Sequence, residues 1–241
     1  MGRGTSRRVH RHASSRKPEK GALRSIVAPF ACRLVIMAKV PVAGRVKTRL
    51  AREIGVAQAT RFYRTTARTV VARLGRQPFW KTYLAVSPDA DAASPMLPSR
   101  LVRMGQGRGD LGARMHRPMR CLPPGPVCVI GTDIPDVSAA DIRLAFKCLG
   151  RHDVVFGPAE DGGFWLIGLR RRPRVIYPYD GVRWSRADTL EAVEANLRSA
   201  SIAHTTRLSD VDNRADLART RGAFGRLIRP VETNPLLRNT R

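Results

Sequence analysis

The chain has 241 residues, 43% of them hydrophobic, and 44 Lys and Arg against 19 Asp and Glu give it a formal net charge of +25. That apolar fraction supports a buried core in one domain, which sets aside collagen-like and wholly disordered chains. No uncharged apolar run approaches the ~20 residues of a membrane span, which argues against an integral membrane protein.

Much of the charge sits at the ends. Residues 1–30 carry a net +7 and residues 219–241 a net +5, leaving +13 across the middle. Six lysines stand against 38 arginines, a bias that fits a GC-rich composition better than a nucleic-acid binder, which usually mixes both. Residues 1–30 are polar, basic and aperiodic, so they read as a disordered extension. Residues 31–222 read as the folded domain and 223–241 as a basic tail.

In chain order, Arg33–Lys39 is a short apolar, β-branched run, hence a buried strand. Pro41 and Gly44 mark a loop over Val40–Lys47. A helix is predicted over Val56–Leu74, with apolar residues at 56, 59, 63, 67, 70 and 74 on one stripe. Strands follow at Trp80–Val86 and Leu101–Met104, then a helix at Asp110–Cys121. Pro126–Gly131 is an uncharged strand, which implies burial on both faces. Ser138 and Asp141 have capping-box spacing before a helix that runs to Leu149 and stops at Gly150. Asp153–Gly157 and Phe164–Leu169 are strands around a Gly-rich turn. Ser185 and Asp188 repeat the capping-box spacing before a helix ending near Leu197. His204–Leu208 reads as a last strand, and Asn213 as the cap of a final helix to about Arg221. Cys32, Cys121, Cys128 and Cys148 lack metal-site spacing and read as buried free thiols in a reducing cytoplasm.

This alternation predicts an α/β fold with a mainly parallel sheet covered by helices on both faces. Ligands of such sheets bind beyond the carboxyl ends of the strands, so the residues there carry the functional signal. After the first strand, Arg45, Lys47 and Arg49 alternate along a loop that opens toward a helix, a phosphate-binding arrangement. It is neither a Walker A loop nor a G-x-G-x-x-G turn. After the uncharged strand come Asp133 and Asp136, hard oxygen donors suited to Mg²⁺ or Mn²⁺. Glu160 and Asp161 precede Gly162 and Gly163 and offer either a general base or a loop-ordering pair. Asp210 and Asp212 face the same way in an extended segment after the last strand. Cations, carboxylates and a divalent ion around a phosphate describe transfer chemistry on a nucleotide.

The stretches M-A-K-V-P-V-A-G-R-V-K-T-R-L (37–50), I-G-T-D-I-P-D (130–136), G-P-A-E-D-G-G-F-W-L-I-G-L (157–169), G-V-R-W-S (181–185) and D-V-D-N-R-A-D-L (210–217) resemble a bacterial family of glycosyltransferase-like proteins. That family is often labelled radical-SAM/selenodomain-associated transferase, and the resemblance runs collinearly from about Cys32 to Leu217. It implies a GT-A type fold, the nucleotide-diphospho-sugar transferase architecture, shared with the guanylyltransferases of molybdenum cofactor and of phospholactate. It places Arg45, Lys47 and Arg49 on the nucleotide phosphates, Asp133 and Asp212 on the metal with Asp136 nearby, and Asp161 beside Glu160 as acceptor-activating base. Val40-Pro41-Val42-Ala43 stands where nucleotidyltransferases have a Leu-Ala-Gly-Gly type opening. Pro41 lacks a backbone donor, so phosphate binding leans on side chains, which favours a nucleotide-diphospho-sugar over an NTP.

The expected activity is therefore metal-dependent glycosyl transfer from a nucleotide-diphospho-sugar to a small-molecule or lipid-like acceptor. The alternative is transfer of NMP from an NTP to a phosphorylated small molecule. A cytoplasmic protein with no specific nucleic-acid partner is expected, its basic N-terminus offering weak contact to anionic surfaces.

Overall fold

A computed structural model describes Met1 and residues 31–220 other than 99 and 173. The basic extension beyond Met1 and the whole of the C-terminal tail lie outside the described residues. The elements are β1 (Cys32–Lys39), α1 (Thr48–Ile54), α2 (Val56–Leu74), β2 (Trp80–Ser87), β3 (Val102–Gly105), α3 (Leu111–Cys121), β4 (Val127–Ile130), α4 (Ala139–Leu149), β5 (Val154–Pro158), β6 (Phe164–Leu169), α5 (Thr189–Ala195), β7 (Ile202–His204) and α6 (Arg214–Arg219).

The seven strands form one sheet in the order β3-β2-β1-β4-β6-β5-β7. β1 pairs in parallel with β2 and β4, β2 with β3, and β5 with β7. Only β6 runs against its neighbours β4 and β5. Alternation along the strands sends side chains to two separate cores. Leu34, Ile36, Leu84 and Ile130 pack with Val70, Leu74, Ile142 and Leu149 of α2 and α4 on one face. Val35, Tyr83, Val129 and Ile167 pack with Met115 and Met119 of α3 and Val193 of α5 on the other. Removing each such side chain from water contributes roughly 1.5–3 kcal/mol. Among the described residues, no helix is long and apolar enough to cross a membrane.

Some local expectations need correction. α1 occupies residues read as the end of a loop and the lead-in to α2. It is only seven residues long, enters from Lys47 in a left-handed conformation, and is split from α2 by Gly55 at φ 88°. The capping box expected at Ser138/Asp141 forms, and Asn213 caps α6 as expected, in a box that Asp216 completes. The one expected at Ser185/Asp188 does not form: Ser185 lies at φ 61°, and Asp188 precedes α5 without a side-chain cap. Thr189 Oγ1 instead closes that turn, donating to the Arg186 carbonyl at 2.7 Å. The last strand pairs at Ile202–His204 rather than 204–208; beyond it, only Leu208 forms a bridge, to Ala159. All four cysteines are free, but only Cys128 is buried, and Cys121 is exposed because it closes the outer end of α3.

Candidate active site

From β1 the chain continues toward β2 on one side, and from β4 it continues toward β5 and β6 on the other. β1 and β4 are neighbours, so their carboxyl ends form the point where the strand order reverses. A cleft of about 660 Å³ opens there. Tyr63 of α2 braces its floor: its hydroxyl accepts from the Lys39 N–H at 2.8 Å, donates to the Lys39 carbonyl at 3.1 Å, and accepts from Thr132 Oγ1 at 3.2 Å. One phenol thus ties the ends of both strands together. Its burial pushes its pKa up, so it stays neutral.

The centre of the cleft is a cation held by carboxylates. Lys47 Nζ lies 2.9 Å from Asp133 Oδ2 and 2.8 Å from Asp212 Oδ1, with its side chain only 7% exposed. Its left-handed backbone turns the side chain inward while Arg45 and Arg49, the other two cations of the loop, stay exposed. Burial opposes the ammonium charge, but Asp133 and Asp212 outweigh it and raise the Lys47 pKa above its ordinary value. In turn, burial works against the Asp133 carboxylate, and Lys47 holds its pKa below the usual range. Gly131 makes the Asp133 orientation feasible, since a Cβ there would sit 2.5 Å from Asp133 Oδ1. Arg49 Nη1 approaches Asp212 Oδ2 at 3.5 Å.

A third carboxylate joins them. Oxygens of Asp133, Asp210 and Asp212 lie within 4.8 Å of one another. Burial first, and then the charges of Asp133 and Asp212, push the Asp210 carboxyl up to about 7. The reason both Asp210 and Asp212 reach the cleft is Val211 between them. It is fully buried in a small core with Leu50 of α1, Ala59 and Phe62 of α2, and Leu217 of α6. With Val211 turned inward, its two neighbours share the opposite side of the extended chain.

Of the predicted site residues, Arg45, Lys47, Arg49, Asp133, Asp161 and Asp212 all line this cleft. Asp161 is on the exposed turn between β5 and β6, where its Oδ1 accepts from the Gly163 N–H at 2.9 Å. Asp136 and Glu160 are exposed and line no part of the cleft, so the structure does not bring them into the group. Asp210 takes the place expected of Asp136, and its i, i+2 spacing from Asp212 was the available signal. Gln106, Arg114, Trp184 and Arg186 also line the cleft; Trp184 stands in the Gly-Val-Arg-Trp-Ser stretch, whereas the other three had no local signature. Gln106, 2% exposed, donates to the Ala38 and Ala85 carbonyls at 3.3 and 2.8 Å, and its Oε1 accepts from Arg114 Nε at 2.9 Å.

Residues 70–186 match the family described as "Uncharacterized protein conserved in bacteria (DUF2064)". No curated protein matches the chain significantly. Among solved structures, it is similar to a protein from Desulfovibrio desulfuricans provisionally named a nucleotide-diphospho-sugar transferase, at 27% identity and a TM-score of 0.72, over 81% of this chain and 93% of that one. It is also similar to CMP:2-keto-3-deoxy-manno-octonic acid synthetase in complex with CTP, at 13% identity and a TM-score of 0.50, over 77% of this chain and 94% of the other. The bifunctional IspDF of Campylobacter jejuni gives 11% identity and a TM-score of 0.50, over 78% of this chain and 53% of that one. At such low identity the last two speak to the fold alone. The chain shares the mixed α/β fold of these proteins, with a mostly parallel seven-stranded sheet.

Proposed function

We propose that the protein is a metal-dependent transferase of the GT-A type that moves a glycosyl group from a nucleotide-diphospho-sugar to a hydroxyl acceptor. The observation that carries this reading is the Lys47 ammonium paired with Asp133 and Asp212 at the strand-reversal cleft, with Asp210 beside them and Arg45 and Arg49 on the rim. The Desulfovibrio relative supports a nucleotide-diphospho-sugar donor. Three convergent carboxylates are hard oxygen donors and fit Mg²⁺ or Mn²⁺, which Asp133, Asp210 and Asp212 would hold. Such an ion would neutralise charge on the donor diphosphate.

The chain's own residues supply the rest. Lys47, Arg45 and Arg49 bind the diphosphate and stabilise the charge that grows on it as the bond to the anomeric carbon breaks. Asp161 Oδ1 is engaged by the Gly163 N–H, which fixes the carboxylate and leaves Oδ2 for an acceptor hydroxyl. As the acceptor oxygen bonds to the anomeric carbon, its proton passes to Asp161, and the nucleoside diphosphate departs. Glu160, outside the cleft, has no part in this step. Four free thiols and a nucleotide donor suit a cytoplasmic enzyme.

The leaving group tests the reading. With Mg²⁺ or Mn²⁺ and a panel of nucleotide-diphospho-sugars and NTPs, ³¹P NMR should show nucleoside diphosphate release, abolished by Asp133→Ala. Pyrophosphate release from an NTP would replace this reading with nucleotidyl transfer. Failure of every nucleotide to raise the melting temperature would overturn both.

A further inference from the structure

The segment Tyr179–Ala187, which contains the Gly-Val-Arg-Trp-Ser stretch at 181–185, has no part in the chemistry above. It is nevertheless clamped across one end of the cleft. Gly112, in the first turn of α3, lies so close beneath it that a Cβ there would come 2.5 Å from Tyr179 Cβ and 2.8 Å from Trp184 Cζ2. At the other side Gly162, at φ +83°, packs so closely against Ala187 that a Cβ there would collide with the Ala187 carbonyl oxygen. The Leu190 N–H then donates to the Gly162 carbonyl at 3.0 Å. Trp184 Nε1 donates to Asp110 Oδ2 at 2.9 Å. The strap is thus bound both to the start of α3 and to the turn that carries Asp161.

These clamps fix one indole at the edge of the cleft. Trp80 and Trp165 are 6% and 4% exposed, whereas Trp184 is only half-buried and lines the cleft. It is braced by Tyr179 at 5.8 Å and Phe164 at 6.5 Å between ring centroids. Leu111, Met115 and Phe164 extend the apolar lining. Besides Arg45 and Arg49, the guanidinium groups of Arg114 and Arg186 line the cleft. Arg114 is oriented by Gln106 through Nε and Nη2, which leaves Nη1 uncommitted to that contact. Arg186 and Arg183 share the single carboxylate of Asp188, which leaves this trio with one unbalanced positive charge. A rigid aromatic face beside cations recognises a flat, apolar ring that carries an anion.

We propose that this strap is the acceptor-side wall of the cleft, taking a ring stacked on Trp184 with a carboxylate or phosphate directed to Arg186 and Arg114. The inference rests on the transferase reading for the word acceptor; the binding subsite itself does not depend on it. Trp184 and Arg186 are then specificity-determining residues, and Asp110 is a positioning residue for the indole.

The test uses the full chain and 4-nitrobenzoate as the probe, with 4-nitrobenzyl alcohol as its uncharged counterpart, titrated by ligand-observed NMR. The wild type should bind 4-nitrobenzoate saturably and at least 5-fold more tightly than the alcohol. Trp184→Ala should weaken it at least 10-fold, Trp184→Phe by no more than about 3-fold, and Arg186→Gln should remove the preference for the charged probe. If Trp184→Ala fails to fold, Trp184→Phe and Arg186→Gln carry the test. Unchanged probe affinity in Trp184→Ala, or no saturable binding to the wild type, would overturn the proposal. So would an equal loss of nucleotide-induced melting shift in Trp184→Ala, which would move the strap to the donor side. If the probe binds through Trp184 while no nucleotide shifts the wild type, the subsite stands and the transferase reading fails.

Discussion

Lys47 and Asp133 show how much one side chain can hold. Lys47→Met would leave Asp133, Asp210 and Asp212 facing one another with only Arg49, 3.5 Å from Asp212, in attendance. Stranding a buried partner costs about 3–5 kcal/mol, but the two aspartates keep 34% and 39% side-chain exposure, and solvent screening brings the expected loss to about 2 kcal/mol. A divalent ion, as proposed for these carboxylates, would supply the missing positive charge. Mn²⁺ should therefore raise the melting temperature of the variant more than that of the wild type; equal shifts would show that ammonium and ion do not share these carboxylates. Asp133 was legible in the sequence because a carboxylate directly after the uncharged Val127–Ile130 strand has to face the crevice. Asp136 and Glu160 were not separable from their neighbours by the same reasoning. Each sits on a turn, and the direction in which a turn throws a side chain depends on packing around it rather than on its own residues.

At the scale of elements, α3 deserves its own test. Asp110 caps it, with Oδ1 accepting from the Ala113 N–H at 2.8 Å while Oδ2 accepts from Trp184. The Ala113 bond first, and the Trp184 bond second, hold its carboxyl below the usual range against a smaller opposing effect of burial. Asp110→Ala should cost about 1 kcal/mol at neutral pH. A lowered folded pKa contributes stability that is present above the unfolded value near 4 and is lost as pH falls through the folded value. The difference in melting temperature between wild type and Asp110→Ala should thus shrink on acidification below about pH 4. A constant difference would show that the ionised form is not what caps the helix. Helix and strand identities were mostly readable, since the periodicity over α2, the capping box at 138 and the cap at 213 are local properties. α1 escaped because seven residues entered from a left-handed Lys47 carry too little periodicity. The Ser185/Asp188 spacing misled because Ser185 lies in a left-handed turn that Thr189 closes onto the Arg186 carbonyl.

For the molecule as a whole, alternating strands and helices announced a mainly parallel sheet, and β6 is the strand that departs from it. The short Gly-rich turn between β5 and β6 already requires antiparallel pairing, because a parallel return needs a crossover of about a dozen residues or more. The headline charge divides in a similar way. Residues 1–30 hold +7 of the +25 without touching the strand-end carboxylates in sequence. Random duplex DNA should bind weakly and with a steep salt dependence, and deleting residues 2–30 should flatten that dependence while leaving the Mn²⁺–nucleotide melting shift intact. Loss of the melting shift on deletion would place the extension in the donor site instead.

The Lys47–Asp212 contact joins residues 165 positions apart. With Leu50, Val211 and Leu217 packed behind it, the beginning and the end of the described chain are buckled together at the cleft where we propose the donor sits. The segment 70–186 therefore contains Asp133 and Asp161 but neither half of that buckle. A chain can resemble this one throughout its middle and still lack the residues proposed here to hold a diphosphate. Kinship in chemistry has to be judged from the two flanks.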